Sequence, residues 1–142
     1  MKIVVDTNIV FSTLLNPKSN VGELLMNVEG KFDFFAPELL LEEIERYHDK
    51  IKKYTKLDDD ALKTIKLSVL DTIDLVSENL ISENNWIEAY KITENIDEDD
   101  TPFVALSLEL EAKLWTGDKK LSTTIKKKFP ELTITTNELL HF

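Results

Sequence analysis

No cysteine occurs in this 142-residue chain, and only two histidines do, His48 and His141. The first absence excludes a disulfide framework, thiolate metal sites and a cysteine nucleophile. Together the two scarcities argue against a zinc-hydrolase centre, which draws its ligands largely from those residue types. Three glycines and four prolines leave little room for flexible linkers or low-complexity tracts. No stretch approaches the ~20 consecutive apolar residues of a membrane-spanning helix. The opening Met1-Lys2-Ile3-Val4-Val5-Asp6 is too short an apolar run for a signal peptide and ends in a carboxylate. The expected setting is therefore the cytoplasm, with no membrane partner.

Positive charge is also in deficit: 17 Lys and Arg against 27 Asp and Glu leave a net charge of −10. That balance is generic for a soluble protein, and awkward for one that contacts phosphates through a basic surface. The cations that exist are clustered. Lys50, Lys52, Lys53 and Lys56 form one group, readable as a solvated helix face, and Lys119, Lys120, Lys126, Lys127 and Lys128 form another directly after Asp118. A hydrophobic fraction of 42% in a chain of this length is enough for one domain, expected to span residues 1–142, with a real core.

Hydrophobic periodicity orders the elements. Lys2 to Asp6 reads as a buried strand, closed by a polar turn, and Asn8 to Leu15 as a helix. A short helix is expected from Val21 to Val28 with Gly30 as its stop, then a strand from Phe32 to Ala36. Pro37 at a first helical turn, followed by an apolar stripe at Leu39, Leu40, Ile44, Tyr47 and Ile51, predicts one long amphipathic helix to about Tyr54. Acidic residues at Asp58 to Asp60 open another helix, Ile73 to Val76 suits a strand, and Ser82 caps a helix from Glu83 to Thr93. Residues 96–100 read as a loop, Pro102 to Glu111 as a helix, Lys113 to Thr116 as a strand, Lys119 to Lys127 as a helix and Leu132 to Thr135 as a last strand before a closing turn at Asn137 to Leu140. Strands alternating with helices predict an α/β fold, a three-layer α/β/α domain with a mainly parallel central sheet. Ligands of such sheets gather beyond the carboxyl ends of the strands.

Four acidic positions stand at strand ends or helix starts: Asp6, Glu43, Asp100 and Asp118. Asp6 ends a buried strand, where an unpaired carboxylate is expensive to desolvate, or else it caps the next helix. Asp118 poses the same alternative before the Lys119 helix. Glu43 falls beside the apolar stripe, next to Leu40 and Tyr47, with Glu42 as the alternative one residue away. Asp97-Glu98-Asp99-Asp100 places four like charges at the mouth of a helix, which a cation would relieve; Asp97 is the natural second ligand to Asp100. Asn8, Ser12, Thr116, Lys119 and Lys120 are placed to orient these acids or to contact a phosphate. Carboxylates far apart in sequence but shared by one sheet edge suit hard divalent cations such as Mg²⁺ or Mn²⁺, which can activate water and polarise a phosphodiester without a protein nucleophile.

Taken in order, Val-Val-Asp-Thr-Asn (4–8), Pro-Glu-Leu-Leu-Leu-Glu-Glu-Ile (37–44), Asp-Asp-Thr-Pro-Phe-Val-Ala-Leu-Ser (99–107) and Leu-Trp-Thr-Gly-Asp-Lys-Lys-Leu (114–121) resemble the signature blocks of PIN-domain proteins across nearly the whole chain. The resemblance implies the PIN fold and Mg²⁺- or Mn²⁺-dependent cleavage of RNA, usually single-stranded. It implies Asp6, Glu43, Asp100 and Asp118 as the acidic quartet, supported by Asn8, Asp97 and Thr116. Many small PIN proteins are toxins of the VapC type held by an antitoxin, and many pair as homodimers, so both partners are expected. The chain departs from the pattern at Lys120, where many members carry another acid; this favours, as the alternative, a non-catalytic PIN-fold module that binds nucleic acid or protein. A strand ending in Asp also opens phosphatases of the haloacid dehalogenase type, but that chemistry needs an acid where this chain has Asn8.

Overall fold

β1 (Lys2–Val5) is the central strand of the computed structural model, which describes residues 1–26 and 30–142. Its Ile3, Val4 and Val5 are fully buried on both faces, as expected for a β-branched run in a parallel sheet covered on two sides. Around it lie β2 (Asp33–Pro37), β3 (Ile73–Val76), β4 (Lys113–Trp115) and β5 (Thr133–Ile134), in the order β3-β2-β1-β4-β5 with every pairing parallel. The chain builds one side of β1 first, through β2 and β3, and later returns to the other side with β4 and β5. The direction of building therefore reverses between β1 and β4, and a crevice opens beyond the carboxyl ends of those two strands.

Nine helices among the described residues flank the sheet: α1 (Thr7–Leu15), α2 (Asn20–Met26), α3 (Leu39–Arg46), α4 (His48–Thr55), α5 (Asp59–Leu70), α6 (Glu83–Thr93), α7 (Thr101–Leu110), α8 (Lys119–Lys128) and α9 (Thr136–Leu140). α7 is apolar nearly all round and lies across β1, β2 and β4 beneath α6, so it is a core helix and not an amphipathic surface one. A hydrogen bond of 2.6 Å between the buried Thr93 and Thr101 hydroxyls joins those two helices. Trp115, fully buried on β4, packs against Phe34 of β2 and donates its Nε1–H to Thr136 Oγ1 at 3.0 Å, which ties α9 to the sheet.

The expected strands and helices lie close to their predicted places, with three differences. Pro37 ends β2, opposite Val76, instead of starting a helix; lacking an N–H, it leaves the ladder there, and Glu38 N–H makes the bond to the Val76 carbonyl. The single long helix is two, because the backbone at Tyr47 departs from helical angles (φ −98°, ψ 11°). The closing turn is the short helix α9, begun by a reciprocal capping box between Thr135 and Glu138. The predicted end of α2 at Val28 lies outside the described residues.

Gly22 allows the close approach between α2 and the turn after α1. A Cβ there would stand 2.4 Å from the Pro17 carbonyl oxygen, a backbone atom with nowhere to move. Gly22→Ala is therefore expected to cost ~1–3 kcal/mol by overpacking, read as a lower urea midpoint with unchanged slope.

Candidate functional site

Asp6 follows β1 at the N-cap position of α1, yet its side chain makes no cap hydrogen bond. Its Oδ2 instead accepts a 2.6 Å bond from Thr116 Oγ1, just beyond β4. Thr116 Oγ1 also accepts the Asp118 N–H at 3.1 Å. The last turn of each central strand is thus locked to the other across the crevice, and Asp6 N–H donates to the Trp115 carbonyl at 3.1 Å beneath them. Asp118 takes the cap role left open in the sequence, its Oδ1 accepting Leu121 N–H at 3.1 Å at the start of α8, and its side chain also lines the crevice.

The crevice is a cleft of about 250 Å³, and Asp6, Glu43, Asp97, Asp100, Asp118 and Asn8 all contribute to its walls. Glu43 comes from α3 and buries its Oε1 without a hydrogen-bond partner, whereas Glu42 is exposed and lies away from the cleft. Asp100 ends a short 3-10 turn (Glu98–Asp100) that leads into α7, and Asp97 holds that turn by accepting Asp99 N–H at 2.9 Å. Thr116 is buried behind Asp6, and Ser12, Lys119 and Lys120 are exposed outside the cleft walls.

Reading the sequence missed five lining residues: Thr7, Phe11, Tyr47, Lys50 and Asp99. Tyr47 was expected in the core stripe; it is 38% exposed and turned to the cleft. The signal was there in the spacing, since Phe11 follows Asn8 by three and Tyr47 follows Glu43 by four, each on the face that carries a predicted site residue.

Concentrating these acids has an electrostatic cost. Burial raises the pKa of Asp6, against the Thr116 hydrogen bond, and Asp118 adds to the rise. Burial likewise pushes Glu43 to about 7; the nearby Thr7 hydroxyl opposes this without completing a hydrogen bond, and Asp6 and Asp99 reinforce it. Asp100 also reaches about 7, through burial and then the charges of Asp6, Asp97, Asp118 and Glu43. Among the described residues no three acids or histidines stand close enough to enclose an ion directly. The donor set is all oxygen, mutually repelling and partly orphaned at Glu43 Oε1, which fits a hard cation that keeps much of its water.

The family model for the PIN domain matches residues 4–137, from within β1 to within α9. The chain belongs to the PIN-domain family. This PIN domain is 29% identical over 124 residues to an uncharacterized protein of Methanocaldococcus jannaschii, a match covering 85% of this chain and 73% of that one. Its fold is shared with a chain in the crystal structure of VapBC2 from Rickettsia felis bound to a DNA fragment from their promoter, at a TM-score of 0.68 and 16% identity, covering 95% of this chain and 98% of that one. No described helix of the PIN domain is long and apolar enough to cross a membrane.

The raised carboxyl groups make stability depend on pH with a definite sign. Glu43 and Asp100, with ordinary values of 4.5 and 3.8, take up protons on folding at pH values between those and about 7, so the folded state loses stability as pH rises through that window. The lowered pKa values of Asp59, Glu88 and Glu109 act below it, in acid. In EDTA, urea unfolding should become easier from pH 5 to pH 8, by about 1 kcal/mol per group once partial solvent access is allowed for. Asp100→Asn should flatten that slope, and an unchanged slope would refute the assignment.

Proposed function

We propose that this PIN domain is a metal-dependent endoribonuclease that cuts single-stranded or structured RNA by attack of activated water on a phosphodiester. The observation that carries the reading is the convergence of Asp6, Glu43, Asp100 and Asp118 from four separate elements on one cleft at the sheet's switch point. These four would hold Mg²⁺ or Mn²⁺, with Asp97 in support. When bound, the ion supplies Lewis acidity to the phosphoryl oxygen and lowers the pKa of the attacking water.

The chain's own groups do the positioning. Thr116 fixes the rotamer of Asp6 by donating to Oδ2, and through the same hydroxyl it sets the turn that presents Asp118. Asn8, exposed at the start of α1 and lining the cleft, offers an amide to a phosphate oxygen. Neither histidine lines the cleft, so a proton released by the attacking water would pass to one of its carboxylates. The fold relationship to a chain of the VapBC2 assembly supports a toxin role in which a small antitoxin is the partner; a homodimer as the working form is proposed from the family resemblance alone.

Lys120 supports a second reading, a non-catalytic PIN-fold binding module. It is exposed in the first turn of α8 and adds no acid to the cleft. Purified protein should cleave a labelled single-stranded RNA panel with Mg²⁺ or Mn²⁺ and not with EDTA, and Asp6→Asn and Asp100→Asn should abolish cutting while leaving a folded chain. Thr116→Val, which removes only the hydroxyl that orients Asp6, should lower the rate about 10- to 100-fold. Absence of cutting by the folded wild type with either ion would sink the nuclease reading in favour of the module. Mg²⁺ should also raise the melting temperature of the wild type at pH 8, and do so less in Asp100→Asn.

A further inference from the structure

An acidic cleft repels the polyanion it is proposed to cut. Asp6, Glu43, Asp97, Asp99, Asp100 and Asp118 all line it, in a chain of net charge −10. Substrate affinity therefore has to come from contacts other than a broad basic surface. The opposite part of the same cleft supplies a different chemistry: Phe11 from α1, Tyr47 from the break between α3 and α4, and Lys50 from α4.

These three side chains are arranged in relation to one another. The Phe11 and Tyr47 rings lie 5.9 Å apart at 80°, an edge-to-face pair that fixes both planes, and Tyr47 remains 38% exposed. Lys50 Nζ stands 5.8 Å from the centre of the Phe11 ring. Lys50 is the only cation lining the cleft among the described residues. It takes part in none of the described ion pairs, although carboxylates share its cleft and neighbouring Arg46 and Lys52 are both paired. A pre-ordered aromatic face beside an ammonium group in no described ion pair is the pairing that holds a nucleotide, with stacking for the base and charge for the phosphate.

We infer that Tyr47, braced by Phe11, stacks an unpaired base of the RNA, and that Lys50 takes an adjoining phosphate. The site deepens the nuclease reading, on which it rests for the identity of the strand. Glu43, Tyr47 and Lys50 follow one another at helical spacing, so the stripe runs from the carboxylates to the subsite and sets which phosphate faces the acids. Bases within a duplex have both faces covered by their neighbours, so this wall selects single strands, loops and ends.

The test reads binding, separately from cutting. In the Asp6→Asn chain, fluorescence anisotropy compares a labelled ten-residue adenosine oligoribonucleotide with a wholly abasic oligomer of the same length and charge, in EDTA and again in Mg²⁺. The intact oligomer is expected to bind roughly 5- to 100-fold more tightly, the range of one stacked base. Tyr47→Leu should remove that advantage and leave abasic binding unchanged, while Tyr47→Phe, which keeps the ring, should restore it. Lys50→Gln should weaken both oligomers and reduce the slope of log affinity against log salt by about 0.7, one phosphate contact on a single strand. Equal binding of the two oligomers, or a base advantage that survives Tyr47→Leu, would overturn the subsite. A chain that passes these tests yet cuts no RNA would retain the subsite and lose the nuclease reading.

Discussion

A carboxylate at the end of the central buried strand is the constraint around which the rest of this protein is arranged. β1 is hydrogen-bonded on both edges and covered on both faces, so Asp6 is only 4% exposed and meets solvent only through the cleft. A lone charge so placed costs several kcal/mol. The fold offsets that cost locally with the Thr116 hydroxyl, and the same bond holds the ends of β1 and β4 in register at the one place where the sheet reverses its direction of building.

The backbone contributes a second compensation. Asp6 stands at the start of α1, Asp100 at the start of α7 and Asp118 at the start of α8. Three helix N-termini, each carrying partial positive charge, are thus directed at the cluster, and each favours a nearby anion by ~0.3–1 kcal/mol. That is too little to neutralise the site, as the raised pKa values of Asp6, Glu43 and Asp100 attest. The remaining imbalance supports the hard cation proposed for the cleft.

The cleft is divided in character. One part is carboxylate and suited to chemistry on a phosphate; the other is aromatic and lysine-bearing and suited to holding the rest of a nucleotide. Tyr47, at the junction of α3 and α4 and one helical turn past Glu43, sets an aromatic ring in the cleft beside that carboxylate.

Local pattern was sufficient for much of this. The β-branched run of β1, the capping residues Asp58 and Ser82 and the apolar repeat of α7 each have a physical signature within a few neighbouring residues, so strand order along the chain, the α/β class and the acidic positions could be read directly. Other features have no local signature. Pro37 could begin a helix or end a strand, and pairing opposite Val76 decided it. Between the neighbours Glu42 and Glu43 the apolar stripe gave only a preference for Glu43, and the packing of α3 decided it by burying an oxygen of one and exposing the other. Thr116 reaches Asp6 across 110 positions of sequence, and Lys50 was one of four clustered lysines until the path of α4 set it in the cleft. The sequence by itself determined which residues can carry charge, stack or start a helix, because those are properties of side chains and their near neighbours. Which of them share one solvent-poor space was decided only by the tertiary structure, because that depends on strand order and helix packing between segments far apart in the chain.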